Sequence, residues 1–148
     1  MNPEILRLGK DTLISKLAEF FKSREYVELA YLFGSTAQGN IGPLSDIDIG
    51  IHLSSKLTKA ERIDRRLGLT AELAGLLKTD KIDLIIMNDA SPVISFEIIK
   101  PNIPVFIKDE DLKLDVEQEI MSRYLDRKHH ENLLNRVFLE MIHEKGGF

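Results

Sequence analysis

A chain of 148 residues has room for a single domain with one real core, and not for two. Hydrophobic residues at 43% and charged residues at 30% are the balance of a soluble globular protein. A net charge of −4, with an isoelectric point near 5.6, argues against non-specific binding to duplex nucleic acid, which relies on many Lys and Arg contacts to phosphate.

A nucleotide remains a feasible ligand, because metal ions can supply the positive charge that the chain lacks. The absence of cysteine excludes disulfides and thiolate metal sites and fits a reducing compartment. The opening MNPEILRLGK lacks the layout of a signal peptide, and no apolar run reaches about 18 residues. No membrane contact and a cytoplasmic location are therefore expected. No repeat or Pro/Ser-rich linker is visible, so residues 1–148 are expected to form one unit, with a helical tail from about residue 112.

Taken in chain order, residues 11–24 carry apolar side chains at helical spacing, with Asp11 as a cap. Residues 27–33 (VELAYLF) read as a buried strand that runs directly into Gly34, and residues 35–44 read as a turn or loop. Residues 45–53 (SDIDIGIHL) alternate, with Ile47, Ile49, Ile51 and Leu53 on one face and Asp46, Asp48, Gly50 and His52 on the other. The spacing predicts an amphipathic helix over 58–77, opened by Thr58, with Leu67, Ala71, Ala74 and Leu77 turned inward. A strand follows at 81–87, then a short helix from Ser91 with Pro92 in its first position. Residues 102–107 predict a short strand placed at an edge by Pro104. From about Leu112 the chain reads as helix with a polar interruption at Asp126–Asn132. The fold expected is mixed α+β, a small mixed sheet flanked by helices.

The strongest feature is GSTAQGNIGPLSDID, residues 34–48. A glycine closing a buried strand lets the backbone turn sharply and approach a ligand closely. Ser35 then opens a turn whose free N–H groups favour an anion. On the returning strand Asp46 and Asp48 project from one face, about 6–7 Å apart. Such oxygen ligands suit Mg²⁺, which keeps waters for phosphates to replace, and two such ions can hold the attacking and leaving oxygens at phosphorus. Asp83 sits within the apolar run Ile82–Met87, where a charge needs a metal or a partner. If its strand lies beside 45–53, Asp83 points at the same metals and can accept the proton of an attacking hydroxyl.

Gly34 and Ser35, followed after ten residues by Asp46-x-Asp48, resemble the signature of the DNA polymerase β-like nucleotidyltransferase superfamily. KIDLI around Asp83 is similar to that superfamily's third acidic strand, and the lead-in YLFGSTAQG resembles the minimal nucleotidyltransferases of the MNT class. The resemblance covers roughly residues 10–110. It implies a polymerase β-like fold, with Gly34 and Ser35 holding the terminal phosphates of ATP and Asp46, Asp48 and Asp83 binding two Mg²⁺ ions. It also implies an antitoxin that transfers AMP to a tyrosine of a HEPN-family toxin, since members of the class are commonly partners of such toxins. One departure is Gln38, where many relatives carry Arg.

Other features receive plainer readings. Gly34 to Gly39 match half of a P-loop, but Asn40 and Ile41 stand where Lys and Ser or Thr are required. His129, His130 and Glu131 would need a histidine in place of Leu134 to form a zincin motif, and read as a solvated helix face, as do Arg123, Arg127, Lys128 and Arg136. His52 reads as a polar residue near the rim of the site. Among Lys56, Lys59, Arg62, Arg65 and Arg66, one is a candidate to reach a triphosphate. The chain also lacks the R-x4-H-x-Y motif of many HEPN toxins, so the expected role is modifier and not toxin. Two rivals stand beside it: a nucleotidyltransferase acting on a small-molecule hydroxyl, and a non-catalytic antitoxin that neutralises its partner by binding.

Overall fold

The computed structural model describes residues 3–37 and 46–144, with the side chains of residues 3–8, Ser35 and Thr36 outside the description. Its elements are α1 (Pro3–Lys22), β1 (Val27–Phe33), α2 (Gly34–Ala37), β2 (Ile47–Leu53), α3 (Lys59–Leu77), β3 (Ile82–Ile86), α4 (Pro92–Ile99), β4 (Pro104–Ile107) and α5 (Glu110–Glu144), with a 3-10 turn at Met87–Asp89. The four strands lie in the order β3-β2-β1-β4. β1 pairs antiparallel with β2 and β4, whereas β2 pairs parallel with β3 across the α3 crossover. This is the mixed α+β arrangement that the strand patterns predict, and Pro104 does lie on an edge strand.

One sheet face is sealed by α1 and α3. Leu13, Leu17 and Phe21 of α1 pack with Leu69, Leu73 and Leu77 of α3 against Ile47, Ile49, Ile51, Leu53 and Leu84, all essentially inaccessible. α1 begins before Asp11: it starts at Pro3 and breaks at Gly9, whose φ of 72° and ψ of −176° leave the helical region. Asp11 therefore lies inside its second segment rather than at a cap.

α3 starts where the sequence places it, because Thr58 and Glu61 form a reciprocal capping box. Its rotation differs from expectation. Leu67 is 64% exposed and Ala71 faces water, and the buried stripe is Leu69, Leu73 and Leu77. The helix carries apolar residues on two sides. The leucine stripe one turn apart sets its rotation, and Arg62 bonds the Leu57 carbonyl (2.8 Å) and Arg66 the Leu84 carbonyl (2.7 Å).

The other face is covered only in part, by α4 and the first turns of α5. Ile98, Ile99 and Ile120 close over Leu29, Tyr31 and Met87. Ser91 caps α4 by accepting from the Ile94 N–H, and Pro92 takes the first helical position. α4 presses on the strand backbone at Gly50, where a Cβ would stand 2.4 Å from Ile98 Cγ2. The buried Tyr31 hydroxyl donates to Glu117 Oε1 (2.8 Å), which also pairs with Lys113 (3.0 Å). Phe96 stacks on Tyr124 at 4.0 Å.

α5 runs unbroken for 35 residues, so the expected interruption at Asp126–Asn132 is absent. Its polar residues are compatible with helix and are laced by Arg123–Glu119 and Arg127–Glu131 pairs one turn apart. The helix is about 52 Å long, and every residue from Leu125 to Met141 is exposed. Among the described residues no helix is long and apolar enough to cross a membrane.

Candidate active site

The uncovered end of the second face is where β1, β2 and β3 bring the candidate site residues near one another. β1 leads into Gly34, whose φ of 64° turns the chain into the single turn α2. In the β1–β2 ladder Phe33 stands opposite Asp48, so the next residue lies over that carboxylate. A Cβ on Gly34 would stand 2.3 Å from Asp48 Oδ2. The positive φ strains any side chain there, and a Cβ would also have to push the Asp48 carboxylate aside.

β2 and β3 place Asp48 directly beside Asp83 in register, as Ile47 is beside Ile82. The Ile47 N–H donates to the Lys81 carbonyl (2.9 Å), which extends the ladder back toward Asp46. Register partners on adjacent strands share a sheet face at about 4.8 Å separation. Asp48 and Asp83 are thus lateral neighbours, and Asp46 lies two residues earlier on the strand that carries Asp48. Asp46 and Asp83 are exposed and Asp48 is half-buried. Burial raises the pKa of Asp48 above the ordinary carboxylate value, and the negative charges of Asp83 and then Asp46 raise it further. Among the described residues no three acids or imidazoles already close on a single point. What the backbone supplies is two adjacent carboxylates with a third along the same strand. These are hard oxygen donors of the kind that a divalent cation takes. Ser35 is the second residue of α2, and Gln38 and the segment to Ser45 lie outside the described residues.

The cations singled out in the sequence do not gather here. Arg62 makes a two-pronged contact with Asp89 (2.7 and 2.9 Å). The Arg65 guanidinium lies 4.8 Å from the centre of the Tyr26 ring, and Arg66 serves the Leu84 carbonyl. All three belong to α3, the helix on the opposite sheet face. Lys56 and Lys59 are exposed, as are His129, His130 and Glu131 on α5.

His52 shares the strand face of Asp48 but stands four residues away, about 13 Å along β2. It contacts Glu28 through Nδ1 at 3.0 Å and, with Asn88, Arg62, Ser95, Glu119 and Arg123, lines a separate cavity of about 290 Å³. The Ile98–Gly50 contact lies between Asp48 and His52 on this face. Burial, the dominant influence, lowers the His52 pKa, against the opposing pull of Glu28.

One residue escapes the sequence reading. Lys10 reaches across 27 residues to donate from Nζ to the Ala37 carbonyl at the end of α2 (2.6 Å). A lone lysine at the start of a helix carries no local signal of such a contact.

The family model described as "Polymerase beta, Nucleotidyltransferase" matches residues 15–111, well over half of the chain. No curated protein matches the sequence. Among solved structures, a toxin–antitoxin with AMP-PNP is similar at TM-score 0.59 and 22% identity, over 90% of this chain and 97% of that one. The MntA–HepT toxin–antitoxin is similar at TM-score 0.53 and 20% identity, over 92% and 97%. A tri-AMPylated Shewanella oneidensis HEPN toxin in complex with MNT antitoxin is similar at TM-score 0.54 and 20% identity, over 93% and 98%. At these identities the likeness is one of fold. The match to the family model, spanning β1 through β4 and with them the strands of Asp48 and Asp83, assigns this chain to the polymerase β nucleotidyltransferase family.

Proposed function

We propose that this chain is a metal-dependent protein adenylyltransferase, an antitoxin that transfers AMP from ATP to a tyrosine hydroxyl of a HEPN-family toxin. The observation that carries the reading is the register of Asp48 beside Asp83, with Asp46 two residues earlier and Gly34 pressed against Asp48. Solved complexes of the same fold contain an ATP analogue in one case and an AMP-modified HEPN toxin in another, which supports both the substrate and the partner.

Asp46, Asp48 and Asp83 would hold Mg²⁺, two ions in the family pattern, which when bound offset the triphosphate charge and polarise the α-phosphate. Gly34 lets the backbone approach the phosphates, and Ser35 with the neighbouring N–H groups holds their terminal oxygens. The tyrosine oxygen forms a bond to the α-phosphorus, and the bond from that phosphorus to the bridging oxygen breaks, releasing pyrophosphate. Asp83, exposed beside Asp48, takes the hydroxyl proton. A cytoplasmic location follows from the need for ATP.

The exposed half of α5 is where we place the grip on the partner. Leu134, Val137, Phe138 and Met141 recur at helical spacing and are all exposed, Phe138 to 62%. A neighbouring gene for a HEPN-type protein would support this assignment. The direct test incubates purified chain, its candidate toxin, labelled ATP and Mg²⁺. Label on a toxin tyrosine is expected. Label on neither protein, with the toxin nevertheless silenced at one-to-one stoichiometry, would replace this reading with neutralisation by binding. Truncation after Glu131 should spare the fold and abolish toxin modification.

A further inference from the structure

α2 is only four residues long, too short to hold its own shape in water. Its position must come from outside, and the structure shows an anchor at each end. At the front, Gly34 lies against Asp48. At the back, the Ala37 side chain is buried and its carbonyl accepts from Lys10 Nζ at 2.6 Å. A cation on a terminal helix carbonyl is a favourable charge-assisted contact.

Lys10 is itself firmly placed. Gly9 leaves the helical region, and a Cβ at that position would meet nothing within 4 Å, so its positive φ rather than crowding calls for glycine. The helix restarts at Lys10, and Leu13, Leu17 and Phe21 then bury that segment in the core. The ammonium therefore extends from a packed helix to the far end of the turn that carries Gly34 and Ser35.

We infer that Lys10 is a positioning residue for nucleotide binding: it fixes the Gly34–Ala37 turn to the core through the Ala37 carbonyl. The inference rests on the proposed use of that turn to hold ATP phosphates. Lys10 acts through the turn, so its removal weakens ATP binding and leaves the chemical step largely intact.

Two readouts test this on the full chain, with Lys10→Met, Lys10→Arg and, as a control on the same helix, Lys22→Met. The first needs no nucleotide: hydrogen exchange in a peptide spanning Gly34–Ala37 should quicken about tenfold in Lys10→Met, while peptides from α1 beyond Leu13 keep their protection. The second is ATP affinity in Mg²⁺, expected to weaken about tenfold in Lys10→Met, with kcat held within about twofold and Lys10→Arg recovering most of the loss. Unchanged exchange at the turn overturns the inference. Faster exchange with undiminished ATP affinity also overturns it, leaving Lys10 a structural contact. A wild type that binds no ATP would refute the proposed function instead, while the exchange measurement still decides whether Lys10 holds the turn.

Discussion

The open face of β2 carries polar groups at both ends, and the two ends treat charge in opposite ways. Around His52 the polar groups are matched: Arg62 pairs with Asp89, Arg123 with Glu119, and His52, its pKa lowered by burial, contacts Glu28. Around Asp48 like charges are brought together, Asp83 from the side and Asp46 from two residues before, and their repulsion adds to burial in raising the Asp48 pKa. Matched groups satisfy a structure, whereas neighbouring like charges make each other harder to ionise. Strand alternation alone makes the two ends look equivalent. Their neighbours make one a clamp and the other the candidate site.

The comparison breaks most sharply under substitution of the acids. Asp48→Ala, or Asp46→Ala with it, should lower AMP transfer by at least about 10³-fold with the fold retained. Without metal the variant should melt no lower than wild type, because a repelling charge has gone. Undiminished Mg²⁺-dependent turnover would strip Asp48 of its role. Gly34→Ala should lower transfer by about 10²-fold, since a methyl group there meets Asp48 Oδ2 at a positive φ, and should cost about 1 kcal/mol of stability. Activity equal to wild type would show that the turn adapts.

At the other end, His52→Ala should leave transfer within about threefold and destabilise by about 1–2 kcal/mol, read from denaturant midpoints. A hundredfold loss of activity with unchanged stability would move His52 into the reaction. The smallest effect is the sharpest in sign. Asp48 has a raised folded pKa, so its contribution to stability is complete below its unfolded pKa and is lost as pH rises through the folded value. His52 has a lowered folded pKa, so its contribution is present above its unfolded pKa and is lost as pH falls through the folded value. In metal-free protein melted between about pH 4 and 7, Asp48→Asn should remove a loss on the alkaline side and His52→Asn one on the acid side. Shifts of the same sign in both variants would erase the distinction between the ends.

The strands and their faces were legible because period-two alternation in residues 45–53 and the apolar runs at 27–33 and 81–87 leave few alternatives. The adjacency of Asp83 and Asp48 needed only the parallel pairing that a crossover helix provides. The rotation of α3 was misjudged: Leu67 and Leu69 are both apolar and two residues apart, and it is the stripe Leu69, Leu73 and Leu77, one turn apart, that enters the core. The unbroken course of α5 was hidden because DRKHHEN is polar, and polarity marks solvent exposure rather than a helix end. Lys10 was invisible because its partner is a backbone carbonyl 27 residues away.

On the proposed grip, the free half of α5 sets the reach of the contact with its partner. From Leu125 to Glu144 it extends about 30 Å, leaving past Val93 in the first turn of α4, near the His52 end of the sheet. Asp48 lies a further four residues of strand away. On the proposed reading a protein gripped near Phe138 also delivers a hydroxyl to Asp48, two places on one partner. A short peptide carrying the same tyrosine would meet only the second, and would be a poor substitute for the folded acceptor.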